Sequence, residues 1–226
     1  MRIAFFGGTF DPPHRGHIAI AQAAIARLGL DRVLVAPVAA QPLKNESGRS
    51  SYQDRLAMVR LAVEGHPRLV ASTADAPRPG ARPNYTLDTL KEVRGTLAED
   101  DALFCLLGAD AILSFRRWHR AAELMLFCDF IVASRPGFSL EQISGMLPEG
   151  IHPLSRHYEP EFVRIDLAGA SGAKSALYLL PGIEEDISAT QIRAALAGGA
   201  EAQPVLAPGV ADYIRAHHLY HSASGL

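Results

Sequence analysis

The stretch GGTFDPPHRGH, residues 7–17, follows a short apolar run at residues 3–6 and leads directly into an amphipathic segment. Its two adjacent glycines let the backbone approach a ligand closely, because they carry no Cβ atom. His14 and His17 are three residues apart, so on a helix they share one face of the first turn. Free N–H groups and the helix dipole attract anions there. The segment therefore predicts a strand, a glycine turn and a helix N-terminus that together bind a phosphate.

The histidine pair has a second interpretation, which is metal ligation. The chain has no Walker A motif and no G-x-G-x-x-G fingerprint, so a phosphate site depends on the two imidazoles and the helix end. A metal site would need further Cys, His or carboxylate ligands. Only Asp11 lies nearby in the sequence. We therefore expect phosphate binding here and no metal held by the protein itself.

Length and composition indicate one globular domain. The chain has 226 residues, of which 48% are apolar, enough for a single α/β domain over residues 1–226, with two small domains as the alternative. Its formal net charge is −2, with both signs spread along the chain. This balance argues against a general nucleic-acid or membrane surface, which would need an excess of basic residues.

The cysteines and the N-terminus indicate a cytoplasmic protein. Cys105 and Cys128 stand in apolar runs and form no C-x-x-C pair, so we expect buried free thiols. The apolar run after Arg2 is too short for a signal peptide. No stretch approaches the length of a membrane span.

Apolar runs alternate with helical patterns along the chain. Strands are predicted at residues 3–6, 33–36, 69–71, 103–107, 127–133, 162–165 and 177–180. Helices are predicted at about residues 18–28, 56–63, 90–97, 188–198 and 208–218. Residues 145–160 are expected to be irregular and residues 168–176 to form a mobile turn. The alternation predicts an α/β fold with a doubly wound, mostly parallel sheet, and ligands bind such sheets beyond the C-terminal strand ends.

A second segment, ISATQIR at residues 187–193, combines hydroxyls with a guanidinium at a predicted helix start. Ser188 followed by Gln191 is a capping-box pattern. Ser188 and Thr190 supply hydroxyls, and Arg193 lies in the second turn. Together with free backbone N–H groups they would form a second anion site. The alternative is a well-capped helix with no ligand.

These two segments resemble signatures of the nucleotidylyltransferase superfamily. Residues 7–17 match its GGTFDPxHxGH signature, and residues 187–193 resemble its ISxTxIR signature. With its length and middle segments, the chain resembles the bacterial nicotinate-nucleotide adenylyltransferases from about Arg2 to Tyr220. The resemblance implies a Rossmann-like nucleotidylyltransferase fold. It also implies transfer of the adenylyl group of ATP to nicotinate mononucleotide, giving nicotinate adenine dinucleotide and pyrophosphate in NAD biosynthesis.

The resemblance implies roles for the residues that would hold ATP. His14, His17 and Arg193 would be catalytic. The ATP-binding set would comprise Gly7, Gly8, Thr9, Phe10, His14, Gly16, His17, Gly108, Asp110, Arg135, Ile187, Ser188, Thr190 and Arg193. Mg²⁺ would be bound mainly through the ATP phosphates, with few direct protein ligands.

The middle segments concern nicotinate mononucleotide. Asn84 or Thr86 would cap the following helix, leaving free N–H groups that could hold the nicotinate carboxylate. The face of Trp118 could stack on the pyridine ring, with core packing as its alternative role. In the family, the positions of Tyr85, Thr86 and Trp118 are associated with that ring. Lys44 takes the place of a basic residue in a loop that reaches the phosphates, although the sequence of this loop departs from the family pattern.

Other functions remain open at this point. The acceptor could be nicotinamide mononucleotide or another phosphorylated molecule. A nucleotide-sensing module without catalysis would be favoured by loss of the two histidines or of the arginine, and all three are present. A metal-binding or hydrolytic protein is a third alternative. His217, His218 and His221 are expected to lie at a solvated helix end rather than to bind metal, and a homo-oligomer is compatible with the sequence.

Overall fold

The computed structural model describes residues 1–39, 50–81, 83–133, 145–183, 187–200 and 204–220. The strands are β1 (Arg2–Gly8), β2 (Arg32–Pro37), β3 (Leu69–Ala71), β4 (Ala102–Gly108), β5 (Asp129–Ala133), β6 (Ile151–Tyr158), β7 (Val163–Gly169) and β8 (Lys174–Leu180). The helices are α1 (Arg15–Leu28), α2 (Tyr52–Val63), α3 (Thr86–Gly95), α4 (Ala109–Leu113), α5 (Ala121–Phe127), α6 (Ala189–Ala197) and α7 (Pro208–Ala216).

The strands form one mixed, mostly parallel sheet in the order β3-β2-β1-β4-β5-β8-β7-β6. β4 pairs in parallel with β1 and β5, and β5 pairs in parallel with β8. β7 is antiparallel to both β8 and β6. The connections on either side of β7 are too short for the crossover that a parallel pair needs, so these strands form hairpins. The predicted doubly wound, mostly parallel α/β fold is confirmed.

Two predictions for the late strands are wrong. Residues 151–158 are not irregular but form β6, an edge strand whose side chains are mostly exposed. Its Pro153 is tolerated at the edge, beside an irregularity in the pairing with β7. The stretch at residues 168–176 is not all turn, because β7 continues to Gly169 and β8 begins at Lys174.

The region before β5 also differs from the prediction. Phe127 does not belong to the strand but ends α5, and β5 begins at Asp129. The short helices α4 and α5 have too few residues to show a clear helical period, so neither is predicted. Cys105 and Cys128 are buried free thiols as expected, and burial raises the pKa of Cys105 to about 12.

The chain divides into two compact units. The first comprises Met1–Phe6, Ile20–Val33 and Tyr85–Glu184, and the second comprises Gly7–Ala19, Leu34–Asn84 and Glu185–Leu226. Within the first unit, Phe115 packs edge-to-face on Phe130, with ring centroids 5.2 Å apart. Within the second, apolar side chains of α2, α6 and α7 form a buried cluster that includes Met58, Ile192 and Ile214. The single domain over residues 1–226 stays a prediction. In the described ranges, no helix combines the length and apolar character needed to cross a membrane.

Candidate active site

The predicted strand, turn and helix are present at residues 7–17. β1 ends at Gly8 and α1 begins at Arg15. Between them, Phe10 has a φ of 49°, a left-handed conformation that is costly for a bulky residue. Its side chain is only 1% exposed. Such a conformation persists where its surroundings determine it strongly, as happens at functional sites.

The absence of a side chain at Gly8 lets the ring of Phe10 fit against the backbone. A Cβ atom at Gly8 would lie 2.9 Å from Cζ of Phe10, closer than real contacts allow. The Phe10 ring in turn packs edge-to-face on His17, with centroids 4.9 Å apart at 72°. Gly8 is therefore needed for a close approach within the protein, in addition to any approach of a ligand.

Gly8→Ala should therefore disturb the histidine through Phe10. For the adenylyl transfer that the resemblance implies, we expect kcat to fall by about tenfold or more, since small displacements in an active site are costly. We also expect a loss of about 1–3 kcal/mol in the free energy of unfolding, from overpacking. Steady-state kinetics and denaturant unfolding measure the two effects.

Gly95→Ala is the matched control, since the new Cβ would meet nothing within 4 Å. It should leave kcat unchanged. Wild-type kcat in the Gly8→Ala variant would contradict the proposal that Gly8 affects His17 through the ring of Phe10.

Two hydrogen bonds join His14 and His17 at the start of α1. The carbonyl of His14 accepts from the His17 N–H at 2.9 Å, and the His14 N–H donates to Nδ1 of His17 at 3.2 Å. His14 is thus the cap residue, and His17 takes the position that Glu or Gln holds in a capping box. The two rings stack, with centroids 3.7 Å apart and planes at 28°. The predicted shared face is confirmed.

This arrangement defines the protonation of His17. Loss of hydration lowers the pKa of His17 well below 6.5, and repulsion from His14 acts in the same direction. The ring is therefore neutral at physiological pH. Because Nδ1 accepts a hydrogen bond, the proton of the neutral ring lies on Nε2. His17 thus offers one N–H donor at a helix N-terminus.

Asp11 is the centre of a buried hydrogen-bond network that the sequence does not predict. Its side chain is 1% exposed. Oδ1 accepts from the hydroxyl of Ser50 and, at 2.5 Å, from the hydroxyl of Tyr220. The backbone carbonyl of Asp11 accepts from Nη1 of Arg193 at 2.7 Å. These contacts join residues separated by as many as 209 positions, so no local pattern reveals them.

Arg55 is a second buried polar residue that the sequence does not single out. Its guanidinium donates to the carbonyls of Thr9 and Val38, at 3.0 and 2.7 Å. It also donates to the carbonyls of Ser50 and Ala39, at 3.4 and 3.3 Å. Arg55 thereby ties the glycine turn to the segments that follow β2 and precede α2. The sequence signal that could have indicated this role is the position of Arg55 among the apolar residues on the buried face of α2.

The second signature lies beside the first, although its predicted cap is wrong. Ser188 is the N-cap residue of α6 but makes no side-chain capping hydrogen bond, and Gln191 is exposed. Ile187 packs instead against the apolar cluster of α2, α6 and α7. Nη2 of Arg193 donates to the Thr190 hydroxyl at 3.3 Å, while Nη1 contacts Asp11. Arg193 is therefore held at the turn that leads to His14 and His17.

The predicted cap of α3 is also wrong. Its N-cap residue is Tyr85, which makes no side-chain capping bond. Asn84 is buried and donates to the carbonyl and carboxylate of Asp75, at 3.1 and 2.9 Å, and to the carbonyl of Ala76 at 2.8 Å. The amide of Asn84 thus holds a loop rather than a helix end. Thr86 is the first residue of α3.

The aromatic residues predicted for the pyridine ring are partly exposed. Trp118 donates through Nε1 to the Ser114 hydroxyl at 3.2 Å, and its ring lies 5.2 Å from that of Phe115. Tyr85 stacks on His119 with centroids 4.0 Å apart. Trp118 is partly buried, and its role in binding the pyridine ring stays a prediction.

The other predicted site residues fall into two groups. Gly108 ends β4, and the exposed Asp110 lies in the first turn of α4, as expected for a strand–helix junction. Lys44, Arg135 and His221 lie outside the described residues. Within the described ranges, His, Cys, Asp and Glu form no cluster of three that could hold a metal ion.

Comparison with known proteins gives the family. A profile of the cytidylyltransferase-like family matches residues 5–195. A protein of Gloeobacter violaceus is 38% identical over 225 residues, covering 99% of this chain and 98% of its own. One of Pseudomonas paraeruginosa is 38% identical over 221 residues, covering 98% of each chain. Both are named as probable nicotinate-nucleotide adenylyltransferases. The chain belongs to the nicotinate-nucleotide adenylyltransferase family.

Solved structures agree with this family on the fold. The nicotinic acid mononucleotide adenylyltransferase of Plasmodium falciparum, complexed with NaAD, superposes with a TM-score of 0.70 over 97% of both chains. At 19% identity this likeness establishes the fold alone. The predicted Rossmann-like nucleotidyltransferase fold is confirmed. Membership of the nicotinate-nucleotide adenylyltransferase family also confirms the predicted class of enzyme.

Proposed function

We propose that this chain transfers the adenylyl group of ATP to nicotinate mononucleotide, releasing pyrophosphate and forming nicotinate adenine dinucleotide. The observation that carries the proposal is the meeting of the two signatures, where Arg193 binds the carbonyl of Asp11 in the turn before His14 and His17. Two imidazoles, a guanidinium and a helix N-terminus at one place suit a polyphosphate. Family membership supports the acceptor.

The reaction places modest demands on protein chemistry. The attacking 5′-phosphate is already an anion, so direct in-line attack on the α-phosphorus of ATP needs no protein base and no covalent intermediate. One P–O bond forms as the bond to the leaving pyrophosphate breaks. Catalysis then consists of positioning and of stabilising charge. These are the two tasks that we assign to the residues of the turn and of α6.

His17 would stabilise charge at the α-phosphate. A neutral ring with its proton on Nε2 donates one hydrogen bond to a nonbridging oxygen, and this bond strengthens as charge develops. The contact of Nδ1 with the His14 N–H keeps the ring oriented throughout. His14 would hold the leaving phosphates from the cap position.

Arg193 would neutralise the pyrophosphate. A guanidinium has five N–H donors, and the contacts to Asp11 and Thr190 use two of them. The remaining donors can bind phosphate oxygens in the fork geometry that suits arginine. Lys44 would add a second positive charge in this role.

The remaining roles rest on the family resemblance. We propose that Asp110 accepts hydrogen bonds from ribose hydroxyls and that Arg135 lies near the nucleotide. Gly7, Gly8, Thr9, Phe10, Gly16, Gly108, Ile187, Ser188 and Thr190 complete the ATP-binding set. Tyr85, Thr86 and Trp118 would bind the nicotinate side of the acceptor.

Magnesium fits this scheme as an ion carried by the nucleotide. The described residues offer no cluster of three protein ligands, and Oδ1 of the buried Asp11 is already occupied by two hydroxyls. Mg²⁺ commonly keeps several waters and binds substrate phosphates, whose charge it neutralises. No protein step in the scheme depends on its coordination geometry.

Trp118→Ala should raise KM for nicotinate mononucleotide by about tenfold, because stacking of this kind is worth about 0.5–1.5 kcal/mol. KM for ATP should stay nearly unchanged. Steady-state kinetics with each substrate varied in turn separates the two. Ser114→Ala, which removes the partner of the indole N–H and a bond to the Ala111 carbonyl but keeps the indole ring, is the control. An equal rise in both KM values would contradict the assignment of Trp118 to the acceptor.

A panel of acceptors tests the proposed substrate. Pyrophosphate release is measured with ATP and, separately, nicotinate mononucleotide, nicotinamide mononucleotide or phosphopantetheine. We expect kcat/KM to be highest for nicotinate mononucleotide. Preference for nicotinamide mononucleotide would change the acceptor but keep the chemistry. No release with any acceptor would contradict the enzymatic function and favour a nucleotide-sensing module.

A further inference from the structure

The segment after α7 brings the C-terminal part of the chain to the turn before α1. The hydroxyl of Tyr220 donates to Oδ1 of Asp11 at 2.5 Å and lies 3.2 Å from Oγ of Ser50. Leu219 and Tyr220 are packed against the apolar cluster of α2, α6 and α7. Tyr220 has a φ of 65°, an uncommon conformation for a side chain of this size. Its contacts therefore hold the segment in this path.

The carboxylate of Asp11 depends on few donors. It is almost completely buried, and a buried charge is costly unless it is hydrogen-bonded. The hydroxyls of Ser50 and Tyr220 supply its two close bonds, both to Oδ1, and the Ser50 N–H lies at 3.4 Å. Oδ2 has no hydrogen-bond partner within the described part of the chain. Loss of one hydroxyl would leave this charge poorly compensated.

The backbone carbonyl of Asp11 also holds Arg193. Nη1 of Arg193 is held by the carbonyl of Asp11, and His14 follows three residues later. A shift of Asp11 would therefore move the guanidinium and the start of α1 together. Displacements of about 1 Å at such a site can cost about a hundredfold in rate.

We propose that Tyr220 is a positioning residue for adenylyl transfer, whose hydroxyl holds Asp11 and, through it, Arg193 and the histidine pair. This inference rests on the proposed function. Tyr220 acts through Asp11, and no contact with substrate is required of it. The segment that follows α7 thereby helps to position the catalytic residues.

The test compares Tyr220→Phe with Tyr213→Phe. Both substitutions remove one tyrosine hydroxyl that donates to a carboxylate and keep the ring, and Tyr213 donates to Asp54 at 3.0 Å. We expect kcat to fall by about tenfold or more in Tyr220→Phe, with KM for ATP changed less than about threefold. Tyr213→Phe should keep wild-type kcat. Equal kcat in the two variants would overturn the proposal.

A second variant covers the case in which Tyr220→Phe fails to fold. Ser50→Ala removes the other hydroxyl on Oδ1, together with its contact to the Tyr220 hydroxyl, and keeps the whole Tyr220 side chain. It should lower kcat with little change in KM, a result that does not require Tyr220→Phe to fold. Where Tyr220→Phe does fold, the losses of the two substitutions combined should be non-additive, since both act on one oxygen. Wild-type kcat in Ser50→Ala, or simple additivity of the two losses, would overturn the shared role.

Nitrogen chemical shifts of the imidazoles separate this inference from the proposed function. In the folded Tyr220→Phe protein, or in Ser50→Ala, the resonances of His14 and His17 should shift, whereas Tyr213→Phe should leave them unchanged. This readout needs no turnover. If the wild-type protein releases no pyrophosphate, the proposed function fails while the shifts still test positioning. Unchanged shifts in both Asp11-network variants would overturn the positioning role.

Discussion

His17→Ala is expected to lower kcat by about a thousandfold while changing KM for ATP less than about threefold. A hydrogen-bond donor aimed at developing charge stabilises the transition state more than the bound substrate. Removal of such a donor therefore costs about 10²–10³ in kcat. The neutral ring, oriented by the His14 N–H, has this character. Steady-state rates of pyrophosphate release at varied ATP measure both constants.

His152→Ala serves as the control for this substitution. His152 is an exposed histidine on the edge strand β6, and its loss should not change either constant. A loss in kcat/KM that comes wholly from KM would indicate that His17 contributes only to binding. That result would contradict the role assigned to its Nε2 proton.

Arg193→Ala is expected to lower kcat/KM by about a hundredfold or more. The substitution removes the positive charge proposed for the pyrophosphate and also the hydrogen bond to the Asp11 carbonyl. Arg193→Lys restores the charge but not the planar fork, so we expect it to recover only about a tenth of wild-type kcat/KM. Steady-state kinetics and product inhibition by pyrophosphate check these values, and the inhibition constant should rise with the loss of charge.

Arg215→Ala is the matched control for Arg193. Arg215 is exposed on α7 and pairs with Asp212 at 2.8 Å. Exposed pairs of this kind contribute about 0–1 kcal/mol, so its removal should leave the kinetics unchanged. Wild-type activity in Arg193→Lys would contradict a requirement for the planar, two-pronged guanidinium of arginine. Wild-type activity in Arg193→Ala would contradict the whole assignment of Arg193.

The parts of the site that lie within one short segment are predictable from sequence. The turn at residues 7–17 and the start of α6 each depend on neighbouring residues, namely glycines after an apolar run and polar residues before a helical period. The helix begins after Ser188 as predicted, but the capping hydrogen bond that the Ser188–Gln191 pattern predicts is absent. Ile187 is anchored in the apolar cluster, and Ser188 stays uncapped.

The parts that join distant segments are not predictable in this way. The contacts of Asp11 with Ser50 and Tyr220 span 39 and 209 positions, and neither partner belongs to a recognisable motif. Asn84 illustrates the same limit, because its position suggests a helix cap while its buried amide binds Asp75 and Ala76. The spacing of apolar residues shows which face of a helix or strand is buried. The hydrogen bonds of Asp11 and Asn84 depend instead on how separate helices, strands and loops pack together.

The edge of the sheet shows a further limit. β6 carries mostly exposed side chains and a proline, so neither alternation nor an apolar run marks it. Strands in the middle of the sheet, such as β4, are buried along almost their whole length and are found readily. Sequence patterns thus identify the buried centre of this fold better than its edge.

Transfer of label from [α-³²P]ATP tests the central claim most directly. With nicotinate mononucleotide as acceptor, we predict that the label enters nicotinate adenine dinucleotide in a one-to-one ratio with the pyrophosphate released. No label should remain on the protein after denaturation, since attack is direct. Label recovered as AMP would indicate hydrolysis, and label bound to the protein would indicate a covalent intermediate. Either result would contradict direct adenylyl transfer at the histidine turn.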